Sequence, residues 1–160
     1  MPEKGYQRLR RGRYSEPGRI YLLTTVTAGR RPLFRRLPLA RALVDCLRYP
    51  HDRGEVVSHA FVVMPDHLHW LVQLQESQTL AGLMGPLKTF SARRINARRN
   101  LSGCPVWQPG FHDRAVRKDE DLRALARYVV ANPLRAGLVE RIEDYPHWDA
   151  AWLDGGGTVF

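Results

Sequence analysis

Met64-Pro65-Asp66-His67-Leu68-His69-Trp70-Leu71-Val72-Gln73-Leu74 is the stretch from which the rest of the chain can be read. Pro65 suits the second position of a turn, because its ring fixes φ where that turn needs it. From His67 to Leu74 the residues alternate as in a β-strand, where neighbouring side chains point to opposite faces. Leu68, Trp70, Val72 and Leu74 form one apolar face, with His67, His69, Leu71 and Gln73 on the other. Two imidazoles therefore stand side by side, anchored from behind by apolar residues. That is a compact way to hold two ligands of a divalent metal. Taken alone, the pair also fits histidines with a purely structural role.

Working outward, Glu55 to Met64 reads as a strand paired with 67–74 through the turn. Arg19 to Ala28 is rich in β-branched and aromatic residues and reads as the first strand. Gly29-Arg30-Arg31-Pro32 is a basic turn. Apolar residues at 39, 40, 43, 44 and 47 predict a helix over 37–49. A second helix is predicted over 80–99, its first turns weakened by Gly82 and Gly85-Pro86. A loop follows over 100–110, then a short strand over 111–117. A third helix is predicted over 119–132, with Asp119, Glu120 and Asp121 at its N-terminus and Asn132-Pro133 ending it. The order β-α-β-β-α-β with an added C-terminal helix predicts an α+β fold, a ferredoxin-like split βαβ antiparallel sheet. Its two long helices would cover the Leu68/Trp70 face and leave the His67/His69 face open. Residues 1–18 read as a basic flexible arm, 19–148 as one domain and 149–160 as a C-terminal tail.

The chain has 160 residues, 44% of them hydrophobic, which is enough for one domain with a real core. Its net charge of +9 favours a polyanionic partner, DNA or RNA above all. The excess is uneven: the first 44 residues carry eleven Lys/Arg against only Glu3 and Glu16. Ser77 to His112 carries Lys88, Arg93, Arg94, Arg98 and Arg99 and no acid. Cys46 and Cys104 are far apart, which speaks against a zinc cluster or a disulfide framework. No apolar stretch approaches the ~20 residues of a membrane span, and no secretory leader is evident. The expectation is a cytoplasmic, nucleoid-associated protein without a membrane partner.

Tyr128 and Asn132 are four residues apart on the last predicted helix, so their side chains share a face. A helix laid over the open face of the sheet could bring both to the histidines. Asn132 would then add an amide oxygen to a metal site while Tyr128 presents its hydroxyl. From spacing alone, the reading of Tyr128 as a core-edge aromatic and Asn132 as a helix C-cap stands ahead.

His67-Leu68-His69 after Met-Pro-Asp, with Tyr128-x-x-x-Asn132-Pro133-x-Arg135-Ala136-Gly137-Leu138-Val139 some sixty residues on, resembles the single-tyrosine HUH transposases. Within them the chain is most similar to the REP-associated tyrosine transposases, and insertion-sequence relatives usually carry Gln where Asn132 stands. Trp107-Gln108-Pro109 and Phe111-His112-Asp113-Arg114-Ala115-Val116-Arg117 share the resemblance, which runs from about Arg19 to Trp148. It implies an enzyme that nicks and transfers single-stranded DNA near hairpins. Tyr128 would be the nucleophile, forming a 5′-phosphotyrosine link. His67, His69 and Asn132 would hold Mg²⁺ or Mn²⁺. The resemblance leaves monomer and homodimer both open.

Arg13, Arg30, Arg31, Lys88, Arg93, Arg94, Arg98, Arg99, Arg114 and Arg117 are the candidate DNA-binding residues. Most such contacts go to the backbone and carry no sequence information. Two other readings compete. One is a domesticated hairpin-binding protein without catalysis, against which stands the presence of His67, His69, Tyr128 and Asn132 together. The other is an RNA-binding module, which would want exposed aromatics on the central strands; here histidines hold the open face.

Overall fold

A computed structural model describes residues 15–150. Most of the arm expected over 1–18, with Arg13, and all but two residues of the tail expected over 149–160 lie outside the described residues. Five strands and two long helices organise the rest: β1 Ile20–Val26, α1 Leu37–Asp52, β2 Val56–Met64, β3 His67–Leu74, α2 Leu80–Arg98, β4 His112–Ala115 and β5 Trp148–Ala150. Between β4 and β5 come α3, Leu122–Val130, and a single helical turn α4, Asn132–Arg135. The strands form one antiparallel sheet in the order β4-β1-β3-β2-β5. The architecture is α+β, and the first four strands and two long helices follow the expected β-α-β-β-α-β sequence.

The alternation in β3 divides the molecule into layers. Leu68, Trp70, Val72 and Leu74 are buried in the main core with Tyr21 and Leu23 of β1 and Phe61 and Val63 of β2. Leu39, Leu43 and Leu47 of α1 and Leu83, Met84 and Leu87 of α2 close that core from above. Their three- and four-residue spacing puts them on one stripe of each helix. Trp70 is fully enclosed, and its indole N–H donates to Ser58 Oγ at 2.7 Å, so its polar edge is satisfied as well.

Helix α2 runs through Gly85-Pro86 without a break. Thr79 caps it by accepting from Gly82 N at 2.9 Å, and its buried leucines outweigh the weak propensity of its first turns. Helix α1 extends three residues past Tyr49 and takes Pro50 into its last turn.

The other sheet face is not left open. Helix α3 lies across it, with Ala126 packed among Ala60, Leu71 and Val116, and Val129 among Val62, Met64 and Tyr145. It is shorter than the predicted 119–132, because Asp121 is the N-cap, accepting from Ala124 N at 3.1 Å. Glu120 is engaged elsewhere, with Arg114 and the Arg117 amide. At the far end Ala131 ends α3, and Asn132-Pro133 opens α4. Strand β5 is absent from the sequence reading and straddles the expected boundary at 148. It pairs with the outer side of β2, where Ala60 faces Ala150 and Val62 faces Trp148. Three residues of mixed polarity give too short an alternation to be read.

Candidate active site

The site is built on the face of β3 that carries His67 and His69. Their rings are 4.8 Å apart, centroid to centroid, and nearly perpendicular. Each is fixed through Nδ1. His67 Nδ1 lies 2.7 Å from Asp66 Oδ1. A carboxylate accepts only, so Nδ1 carries a proton, and in the neutral ring the lone pair is then on Nε2. Asp66 is in turn held by Arg30 Nη1 at 3.1 Å. Burial pushes the Asp66 carboxyl up, but His67 and Arg30 together outweigh it and hold it below the ordinary carboxylate range. The turn carrying Asp66 is anchored to β1, since Thr27 N–H donates to Asp66 O at 2.9 Å.

His69 stands opposite Thr24 in the β1–β3 register, and Thr24 Oγ1 meets its Nδ1 at 2.8 Å. Burial, then the neighbouring His67, then the charge of Arg135 push His69 down to about 4. The imidazole is therefore neutral at pH 7, as a metal ligand must be. Hydrogen bonds that occupy the second ring nitrogen are the usual support of ligating histidines.

Tyr128 and Asn132 come from α3 and α4. Backbone bonds from Ala131 N to Arg127 O and from Arg135 N to Ala131 O carry the helical rise across the junction. Their four-residue spacing therefore keeps Tyr128 and Asn132 on one side, despite the break at Ala131. Tyr128 is 60% exposed, so it is a surface phenol and no part of the core. Asn132 is half-buried, and its Nδ2 donates to Val129 O at 2.6 Å. Two carbonyl oxygens cannot pair, so this bond turns Oδ1 away from Val129.

Arg135, three residues further on, lies over the Tyr128 ring with Cζ 3.8 Å from its centroid. Helix α3 packs by Ala126 on Leu71, which shares the β3 face with His67 and His69, so the tyrosine and the arginine lie on the histidine side of the sheet. Among the described residues no three His, Cys, Asp or Glu side chains come together as a metal cage. The two imidazoles stand together on β3, and an open N/O donor set built on them would take its oxygen from a residue outside the strand. Such a set suits a divalent ion whose remaining positions go to water and phosphate.

The family model described as transposase, IS200 like, matches residues 18–132. The chain belongs to the IS200-like transposase family. It is 30% identical over 111 residues to a Haemophilus influenzae protein assigned as a REP-associated tyrosine transposase, a match covering 64% of this chain and 60% of that one. It is 29% identical over 92 residues to the REP-associated tyrosine transposase of Escherichia coli K12, covering 55% and 50% of the two chains. The matches thus span little more than half the length of these curated relatives. In fold it is similar to a REP-associated tyrosine transposase solved bound to a REP hairpin, with TM-score 0.63, 24% identity and coverage of 85% of this chain and 79% of that one. A Deinococcus radiodurans protein assigned as a transposase matches with TM-score 0.52 and 24% identity, covering 71% of this chain and 88% of that one.

On this IS200-like scaffold the candidate DNA-binding residues fall into separate groups. Arg30 adjoins the histidine pair through Asp66, and Arg31 is exposed beside it. Arg114 and Arg117 flank the β4 edge, both paired with Glu120. Helix α2 carries Arg93, Arg94 and Arg98, and Arg99 caps its C-terminus, on the opposite layer from the histidines. Arg93, Arg94 and Arg98 are exposed and Arg99 half-buried; Arg94 also lines a cleft with Asp45 and Cys46 between α1 and α2. The Lys88 ammonium donates to Gln108 O and Gly110 O, tying down the 100–110 loop.

Thr24, Asp66 and Arg135 are the site residues that the sequence reading did not single out. Thr24 depends on the strand register, which sequence leaves open. Asp66 had a local signal, a carboxylate directly before the first histidine. Arg135 had one too, since 128, 132 and 135 follow the i, i+4, i+7 spacing of one helical face.

Proposed function

We propose that this chain is a metal-assisted enzyme that nicks and rejoins single-stranded DNA beside hairpins. The observation that carries the reading is the placement of Tyr128. An exposed phenol is held on the histidine side of the sheet, beside an arginine whose charge reaches His69. Tyr128 Oη attacks a backbone phosphorus; the new Oη–P bond replaces the P–O3′ bond. The phenol proton is lost to solvent, and the departing 3′ oxygen takes one up as a 3′-OH. The 5′-phosphotyrosine conserves the phosphodiester energy, so the reverse attack rejoins a strand without ATP.

His67, His69 and Asn132 would hold Mg²⁺ or Mn²⁺. When bound, the ion supplies Lewis-acid polarisation of a phosphate oxygen, which matters because a phenol with a pKa near 10 is a weak nucleophile at pH 7. The protein's own part is to hold His69 neutral and both imidazoles oriented, and to present the tyrosine from a capped helix. DNA in single-stranded or hairpin form fits the net charge of +9 and the name of the solved relative bound to a REP hairpin. Among the described residues no helix is long and apolar enough to cross a membrane.

The test is incubation with single-stranded DNA from the flanks of the protein's own gene, with Mn²⁺ or Mg²⁺. An SDS-resistant adduct mapped to Tyr128 by peptide mass, absent in Tyr128→Phe, supports the reading. Hairpin binding without an adduct over a broad set of flanking strands would instead indicate a DNA-binding protein.

A further inference from the structure

Arg135 differs from Arg30, Arg114 and Arg117. Arg30 is paired with Asp66, and Arg114 and Arg117 with Glu120, so much of their charge is already answered by the protein. Among the described residues Arg135 has no ion pair, and its one ring contact is the face of Tyr128 at 3.8 Å. It is exposed, three residues beyond Asn132 and on the same helical face as Tyr128. A guanidinium is planar: stacked by its face on an aromatic ring, it keeps its five N–H donors in the plane, free for a phosphate. Lysine could match the charge but neither the stacking nor the fork.

We propose that Arg135 binds the phosphate that Tyr128 attacks, its guanidinium face holding the phenol ring while its edge contacts a non-bridging oxygen of that phosphate. One side chain thereby sets both partners of the reaction. The ring is kept from swinging into solvent, which an exposed tyrosine would otherwise do. Charge gathering on the non-bridging oxygens in the transition state meets a fixed cation. The inference rests on the reading of Tyr128 as nucleophile.

The experiment compares wild type, Arg135→Ala, Arg135→Lys and Tyr128→Phe as full chains. It measures single-turnover adduct formation at saturating hairpin-flanked DNA with Mn²⁺. Arg135→Ala is expected to slow the reaction by about 100-fold or more, the usual cost of removing one such donor. Hairpin affinity should stay within about threefold, since this is one backbone contact among many. Arg135→Lys should recover about tenfold of the loss through charge alone. The two stereoisomers of a phosphorothioate at the cut site provide the readout that a merely structural role would not move. Sulfur replaces one non-bridging oxygen or the other, so the ratio of wild-type to Arg135→Ala rate should differ between them by about tenfold. Equal ratios would overturn the phosphate contact. An Arg135→Ala variant as fast as wild type, with Tyr128→Phe inactive, overturns the Arg135 assignment alone. An adduct formed by Tyr128→Phe overturns the nucleophile beneath it.

Discussion

Thr24 and His69 face each other across β1 and β3, and the threonine hydroxyl meets His69 Nδ1 at 2.8 Å. A residue on the neighbouring strand thus engages one ring nitrogen of a candidate metal ligand and orients the ring. Thr24→Val keeps the shape and removes the hydroxyl. Its expected effect is a metal requirement about 10–100-fold higher, the usual cost of losing such a support. Titrating Mn²⁺ against adduct formation measures it; an unchanged midpoint would show that strand packing alone orients the ring.

Asp121 caps the helix that carries Tyr128, accepting from Ala124 N at 3.1 Å. Asp121→Ala should cost about 1 kcal/mol locally, as lost N-caps do. Because α3 buries only Ala126 and Val129 fully, that loss falls on a lightly held element. Faster amide exchange at residues 122–125 than in wild type, with β3 unchanged, is the expected result. Uniform acceleration over the whole chain would mean that α3 unfolds only with the sheet.

Tyr145 donates its hydroxyl to Val63 O while its ring is packed against Val62, Met64 and Val129. Burial pushes its phenol up to about 12, so it stays protonated and remains a donor at any working pH. Tyr145→Phe leaves a buried carbonyl short of a partner, at a cost of about 1–3 kcal/mol. Urea denaturation should show a lowered midpoint with the slope unchanged. A loss of DNA adduct larger than the loss of folded protein would give Tyr145 a role beyond stability.

Burial lowers the pKa of His59, against a smaller opposing effect of Gln73, and lowers that of His147, reinforced by Arg41. Both rings thus protonate more readily unfolded than folded. The unfolded chain binds the extra protons, so this contribution is fully present above about pH 6.5 and declines as pH falls toward the folded values. His69 acts in the same direction. The thermal midpoint of the metal-free protein should therefore drop between pH 7.5 and pH 5. The drop should shrink, without vanishing, when His59 and His147 are both replaced by Gln. An equal drop in the double variant would assign the acid sensitivity elsewhere.

What could be read from the sequence follows the strength of local signals. Strand β3 is found over its full predicted 67–74, because eight alternating residues bounded by a Pro turn leave one reading. The helices α1 and α2 were legible from their apolar stripes. Only α1's C-terminal end was misjudged, where packing carries it past a proline. The short elements were not legible. Strand β5 exists because β2 offers an edge, a tertiary fact that Trp148–Ala150 does not encode. In the same way, the two histidines were visible as a pair, but of their supports only Asp66 had a local signal. Thr24 becomes a partner only through pairing register. Arg135 becomes one only because the chain resumes its helical path after Ala131.

The attachment of α3 at both ends bears on how copies of this protein could share their parts. The helix begins just after β4, at one edge of the sheet, and the chain returns to β5 at the other edge. On the return side Tyr145 and the His147 carbonyl are hydrogen-bonded to Val63. Handing the tyrosine helix to a second copy would mean unzipping Ala60–Val62 from Trp148–Ala150 and breaking both Val63 bonds, or stretching the segments on either side across to the neighbour. In the arrangement described, the helix is a bridge fixed on both banks of its own sheet, and lending it out carries a toll in native pairing.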